Sequence, residues 1–85
     1  MNNIKTFQRY KRFELWGGTA RSNSVDYDFF ISDNKENKEN WLASVNQKTN
    51  KIEFISFDEL KKEIPRMTLA IYIYFNKIIM NFAKE

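Results

Sequence analysis

The chain has 85 residues with no cysteine and no histidine, which is one domain's length and too little for two hydrophobic cores. Disulfides, Cys- or His-ligated zinc, and Ser-His-Asp or Cys-His nucleophilic sites are therefore excluded by composition. The formal charge is +3, but it is divided along the chain. Five cations up to Arg21 against Glu14 give +4; six cations against nine carboxylates give −3 from Ser22 to Glu63; three cations against Glu85 give +2 thereafter. This is a polarised surface, not the single concentrated basic face of a dedicated nucleic-acid binder.

A domain of this size buries only about 60% of its unfolded surface, so its core must be rich in large side chains. Eight Phe, four Tyr and two Trp supply them, each removing about 150–250 Å² from water when buried.

Residues 1–10 carry isolated Ile4, Phe7 and Tyr10 and fit a short helix, a lead-in strand or a frayed tail equally well. Basic residues occur there with no apolar run behind them, so no secretory signal is expected. Lys11 to Trp16 alternates, Phe13 and Leu15 against Arg12 and Glu14, and predicts a half-buried strand closed by Gly17-Gly18. Thr19 to Ser24 reads as a polar loop. Val25 to Ile31 predicts a second strand, with Val25, Tyr27 and Phe29 on one face and Asp26 and Asp28 on the other.

Residues 32–40 contain no apolar side chain and predict an exposed polar connector. Trp41 to Asn46 and Lys51 to Ile55 flank a turn at Gln47 to Asn50, giving a second hairpin. Ser56-Phe-Asp-Glu59 is a capping box that starts a helix at Phe57. Ile55 and Leu60 stand at its hydrophobic-staple positions. Pro65 ends that helix by Ile64 and permits another to begin near Pro65 or Arg66.

From Met67 onward Ile71, Tyr74, Phe75, Ile78, Ile79 and Phe82 recur at helical spacing. A strand over Thr68 to Phe75 competes, because Leu69, Ile71, Ile73 and Phe75 also alternate. The stripe's continuation to Phe82 favours the helix. Its apolar run is far short of the roughly 20 residues a membrane span needs. The expected fold is a small α+β domain spanning 1–85, in which an antiparallel sheet of about four strands, as two hairpins, is followed by a short capped helix and a C-terminal amphipathic helix packed on the sheet.

Chemistry is sparse. Asp26 and Asp28 on one strand face could act as paired carboxylates or hard-cation ligands, but a solvated edge-strand face explains them as well. Gly17-Gly18-Thr19 has no Walker lysine or G-x-G-x-x-G context, so a plain loop suffices. No catalytic residue, metal site or cofactor is expected, and no enzyme activity.

Two binding surfaces remain. Asp26, Tyr27, Asp28, Asp33, Glu36, Glu39 and Trp41 form an acidic and aromatic group able to meet a basic protein surface. Phe7 to Phe13 interleaves three cations with three aromatics, the combination that grips phosphate and stacks bases; Arg9, Tyr10, Lys11 and Arg12 are the residues at stake there, with Arg21 and Arg66 as extensions of the patch. Trp16, Phe30, Tyr72, Ile73 and Met80 fall off the expected core faces, and surplus apolar surface marks contact or self-association. The expectation is a cytoplasmic, non-enzymatic binding protein acting on a protein or protein–nucleic acid complex, with RNA or DNA binding as the alternative and a homodimer as a third arrangement. Short chains of this profile are frequent among accessory, anti-defence-type proteins of phages and mobile elements that inhibit host factors, which is an association by type.

Overall fold

The computed structural model describes residues 5–19 and 25–84. Alternating apolar residues between turns produce a five-stranded antiparallel meander: β1 (Lys5–Tyr10), β2 (Phe13–Gly18), β3 (Asp26–Asp33), β4 (Lys38–Asn46) and β5 (Ile52–Phe54) lie side by side in chain order. Two helices follow, α1 (Phe57–Glu63) and α2 (Leu69–Lys84). This is the expected α+β architecture with one strand more. The extra strand is β1, an edge strand whose half-buried residues are Phe7 and Tyr10.

Left-handed residues sit at the three tight turns, Lys11, Asn37 and Asn50 with φ of 57°, 54° and 60°, and asparagine tolerates that conformation better than most side chains. Asn46 shapes the β4–β5 turn by accepting from Lys48 N–H and Thr49 N–H through its Oδ1 at 3.0 and 3.1 Å. The strand over 11–16 shifts to Phe13–Gly18, because Lys11 and Arg12 form the β1–β2 turn and the glycines remain within β2. Gly17 is needed there. A Cβ on it would come within 2.8–2.9 Å of the Tyr27 and Phe29 rings, which pack directly over the backbone.

Phe13, Leu15, Phe29, Ile31, Leu42, Ala43 and Val45 form the sheet's half of the core, and Leu60, Ile64, Met67, Phe75, Ile79 and Ala83, from the two helices and the turn between them, form the other half. Both helices therefore cover the same face. Phe7, Tyr27, Phe29 and Phe82 interlock there with ring centroids 4.7–5.7 Å apart, within the range of favourable aromatic pairs. The helical periodicity of 71–82 holds, and the competing strand over Thr68 to Phe75 is not formed.

Two β-bulges decide what faces where. Phe7 is the extra residue of β1 between the Thr6–Trp16 and Gln8–Leu15 pairs. Leu42 is the extra residue of β4, between Trp41, paired with Phe30, and Ala43, paired with Phe29. A bulge breaks the period of two, so Trp41 and Ala43, two apart, end up on opposite faces.

Ser56 caps α1, accepting from Glu59 N–H at 3.2 Å; the reciprocal half of the box differs, since the Ser56 hydroxyl donates to Glu59 Oε1 at 3.3 Å. Pro65 and Arg66 form a turn held by Lys61 Nζ, which donates to the carbonyls of Pro65 and Met67 at 3.0 and 2.8 Å. α2 consequently starts later than expected, with Thr68 Oγ1 accepting from Ile71 N–H at 3.3 Å. Tyr72 is not surplus: its ring lies 5.6 Å from that of Phe57 and its hydroxyl donates to the Ile55 carbonyl at 2.6 Å. Among the described residues, Leu69, Ile73 and Met80 are the exposed large apolar ones.

Candidate interaction face

The face of the sheet opposite the helices carries a second aromatic set. Trp16 pairs with Phe30 and Phe30 with Trp41, so the three occupy consecutive cross-strand positions on β2, β3 and β4. None belongs to the core cluster or packs against it, and each is half-buried. With strands about 4.8 Å apart, the row spans about 10 Å.

Rows on either side are polar. Glu14, Ser32 and Glu39 align across β2, β3 and β4 in one; Asp28, Ser44 and Glu53 align across β3, β4 and β5 in the other. Both indole N–H groups are spent on these neighbours. Trp16 Nε1 donates to Ser32 Oγ at 3.2 Å, and Trp41 Nε1 donates to Ser44 Oγ at 3.1 Å. Ser44 passes its own proton to a hydrogen bond with Asp28 Oδ1. A buried polar tip must be satisfied, and anchoring the indoles this way leaves their apolar bodies as the part available to a partner.

Glu14 is almost fully buried. Asn34 Nδ2 donates to it at 2.9 Å and holds its carboxyl below the usual carboxylate range against the opposing pull of burial, with Thr6 Oγ1 at 3.0 Å and Arg9 Nη2 at 3.4 Å adding to the effect. Beside the first tryptophan, at the β3–β4 turn, lies a depression of about 240 Å³ bounded by Trp16, Ser32, Asp33, Asn34, Asn37, Lys38 and Glu39. Another, of about 270 Å³, lies at the far end beside Asp26, Asn46, Lys51 and Glu53.

The acidic and aromatic group expected from sequence is divided by the sheet. Asp26, Asp28, Glu39 and Trp41 belong to the open face. Tyr27 does not, because it pairs with Val45 on the helix side and packs against Phe7, Phe29 and Phe82, where burial raises its phenol pKa. Asp28 is 2% exposed and on a central strand, which corrects the picture of a solvated edge-strand carboxylate. Residues 32–40 are likewise less of a connector than expected, since β3 runs to Asp33 and β4 begins at Lys38.

Asp33 is fully buried and structural. Burial opposes its ionisation, but Arg12 Nε at 2.8 Å and the N–H groups of Lys35 and Glu36 at 3.0 and 3.3 Å hold its pKa below the usual range. Its Oδ2 is buried without a hydrogen-bond donor among the described residues. Glu36 bridges Arg12 at 3.7 Å and Arg66 at 3.3 Å, tying the β1–β2 turn, the β3–β4 turn and the interhelical turn together.

The basic-aromatic segment is dispersed as well. Arg9 sits with Glu14 and Arg12 with Asp33 and Glu36. Tyr10 packs on Tyr74 with centroids 4.8 Å apart, and Lys11 Nζ lies 5.3 Å above the Tyr10 ring. Arg21 lies outside the described residues. No group of three or more potential ligands that could hold a metal occurs among the described residues, and no described helix is long and apolar enough to cross a membrane.

Sequence reasoning counts Trp16 and Phe30 among the surplus apolar residues that mark a contact surface, but does not join them to Trp41. Their consecutive pairing with Trp41 depends on register and on the Leu42 bulge, neither of which leaves a compositional mark. Comparison with family models, curated proteins and solved structures returns no match for this chain.

Proposed function

We propose that the protein acts by stoichiometric binding, presenting the open sheet face to a partner protein that it modulates or inhibits, alone or in complex with nucleic acid. The observation that carries this reading is the Trp16–Phe30–Trp41 row. Three aromatic side chains stand outside the core on consecutive paired positions, and aromatic anchors with satisfied polar tips are what dominate binding energy at protein interfaces. Accessory proteins of phages and mobile elements that occupy a host factor are a natural class for such a chain. The reading needs no catalytic group.

The test compares surfaces. Affinity capture from lysate is run with the wild type, with Trp16→Ala and Trp41→Ala, and with Ile73→Glu on the exposed side of α2. The reading expects one partner to be lost with either tryptophan and retained with Ile73→Glu. Loss only with Ile73→Glu would move the interface to α2 and remove the open face from the account.

A further inference from the structure

The depression at the β3–β4 turn is built in two halves. One half is fixed. Trp16 lines it with its indole N–H already given to Ser32 Oγ at 3.2 Å; Ser32 in turn donates to Asn34 Oδ1 at 3.0 Å, and Asn34 Nδ2 donates to Glu14 at 2.9 Å. This chain of hydrogen bonds holds the half-buried indole in one orientation and spends the polar groups of Ser32 and Asn34. The other half is free. Asn37, Lys38 and Glu39 line the same hollow and are exposed, and their side chains have no partner among the described residues.

Those three side chains offer a carboxamide that donates and accepts, an ammonium that donates and a carboxylate that accepts. Lys38 and Glu39 cancel in charge, and Asp33 is matched by Arg12 at 2.8 Å, so the hollow selects an ion of neither sign. Asp33 is fully buried within the lining and keeps its Oδ2 without a donor among the described residues. A neutral hydroxyl satisfies such an acceptor without burying a further charge.

An apolar ring beside free donors and acceptors of zero net charge is the complement of a pyranose. The C–H groups on one face of a sugar ring pack on an aromatic surface, and the hydroxyls around its edge, each both donor and acceptor, pair with carboxylates and carboxamides. We infer that the depression takes one neutral hexose unit, stacked on Trp16 and held at its edge by Asn37, Lys38 and Glu39. Its volume of about 240 Å³ lies below the roughly 300–1,000 Å³ of drug-sized sites and suits a single ring. A nucleobase stacks on an indole equally well, but its polar groups lie in one plane along one edge. Here the polar lining comes from both arms of the turn, Ser32 to Asn34 on one and Asn37 to Glu39 on the other. The site is separate from the partner-binding row proposed above, since neither Phe30 nor Trp41 lines it.

Trp41→Phe leaves Trp16 as the chain's one tryptophan, so the fluorescence of that variant reports on the hollow. It is titrated with glucose, galactose, mannose and N-acetylglucosamine, with their methyl glycosides, and with adenosine monophosphate. A saturable change is expected with at least one of these sugars in the millimolar range, weakened about tenfold or more by Asn37→Gly and by Glu39→Gln in the same background. The change is expected to persist when added salt shortens the Debye length from about 10 Å to about 3 Å, because no net charge is paired. Glycine keeps the left-handed conformation of residue 37 at no steric cost, and an unchanged melting temperature for both site variants confirms that they are folded. An equal response to the methyl glycoside supports the end of a glycan as the source of the ring; a response confined to the free sugar supports a free monosaccharide. No saturable response to any of these sugars, undiminished binding in both site variants, loss of binding with salt, or tighter binding of the nucleotide would each overturn the inference.

Discussion

The two faces of the sheet carry similar inventories and meet different fates. On one side Phe7, Tyr27 and Phe29 close against Phe82 of α2, and Phe29 is inaccessible. On the other, Trp16, Phe30 and Trp41 stay half-buried between rows of serine and carboxylate with no described helix over them. The lesson is that aromatic content does not say which rings build the core. What separates them is register: β3 alternates Tyr27 and Phe29 toward the helices with Asp28 and Phe30 away from them, and the bulge at Leu42 turns Trp41 outward to meet Phe30.

The contrast can be broken most severely from the sealed side. Phe29→Ala should destabilise the domain by about 3–5 kcal/mol, the usual cost of deleting a buried aromatic, read as a lower urea midpoint with an unchanged slope. Gly17→Ala should cost about 1–3 kcal/mol through overpacking, because the added methyl meets the Tyr27 and Phe29 rings. A fully tolerated alanine would show that those rings do not lie on the β2 backbone.

Asp33 sharpens the comparison at its boundary, where the turns are tied together. Its folded pKa is depressed, so its contribution is complete above the unfolded value of about 3.9 and disappears as pH falls through the lower folded value. Asp33→Asn should therefore start about 1–3 kcal/mol less stable at neutral pH, having lost its ionic partner for Arg12, and should lose less on acidification than the wild type. Urea midpoints measured from pH 7 down to pH 2 check both parts, and parallel curves would contradict the assignment. Glu14, depressed in the same direction, accounts for the acid sensitivity that remains in the variant. The smallest effect belongs to the α1 cap. Ser56→Ala should cost about 1 kcal/mol and leave binding untouched, which calorimetry and capture together would show.

Much of this fold was legible because local signals agreed with the tertiary outcome. The stripe from Ile71 to Phe82 needed a surface to cover, the Ser56 cap fixed the start of α1, and the Asn-containing turn at 47–50 joined two alternating strands. β1 was not legible, since its pattern around Phe7 is interrupted by a bulge that destroys the period of two. The open face was legible only in part. Alternation placed Asp26 and Asp28 together, but could not show that Asp28 would be buried beneath a tryptophan–serine relay, or that Asp33 and Arg12, distant in sequence, would neutralise each other. Grouping acidic residues by proximity along the chain mixed the two faces, which is why Tyr27 and Asp33 entered the expected patch and Trp16 and Phe30 did not.

The most direct measurement is the double substitution Trp16→Ala with Trp41→Ala, followed for folding and for partner capture in the same preparation. Half-buried rings with one hydrogen bond each should cost about 1–2 kcal/mol apiece, so the domain should still unfold cooperatively, at a lower midpoint, while capture is lost. A double variant that captures its partner as the wild type does, or one that fails to fold at all, would contradict the division of the sheet into a face that holds the molecule together and a face that binds.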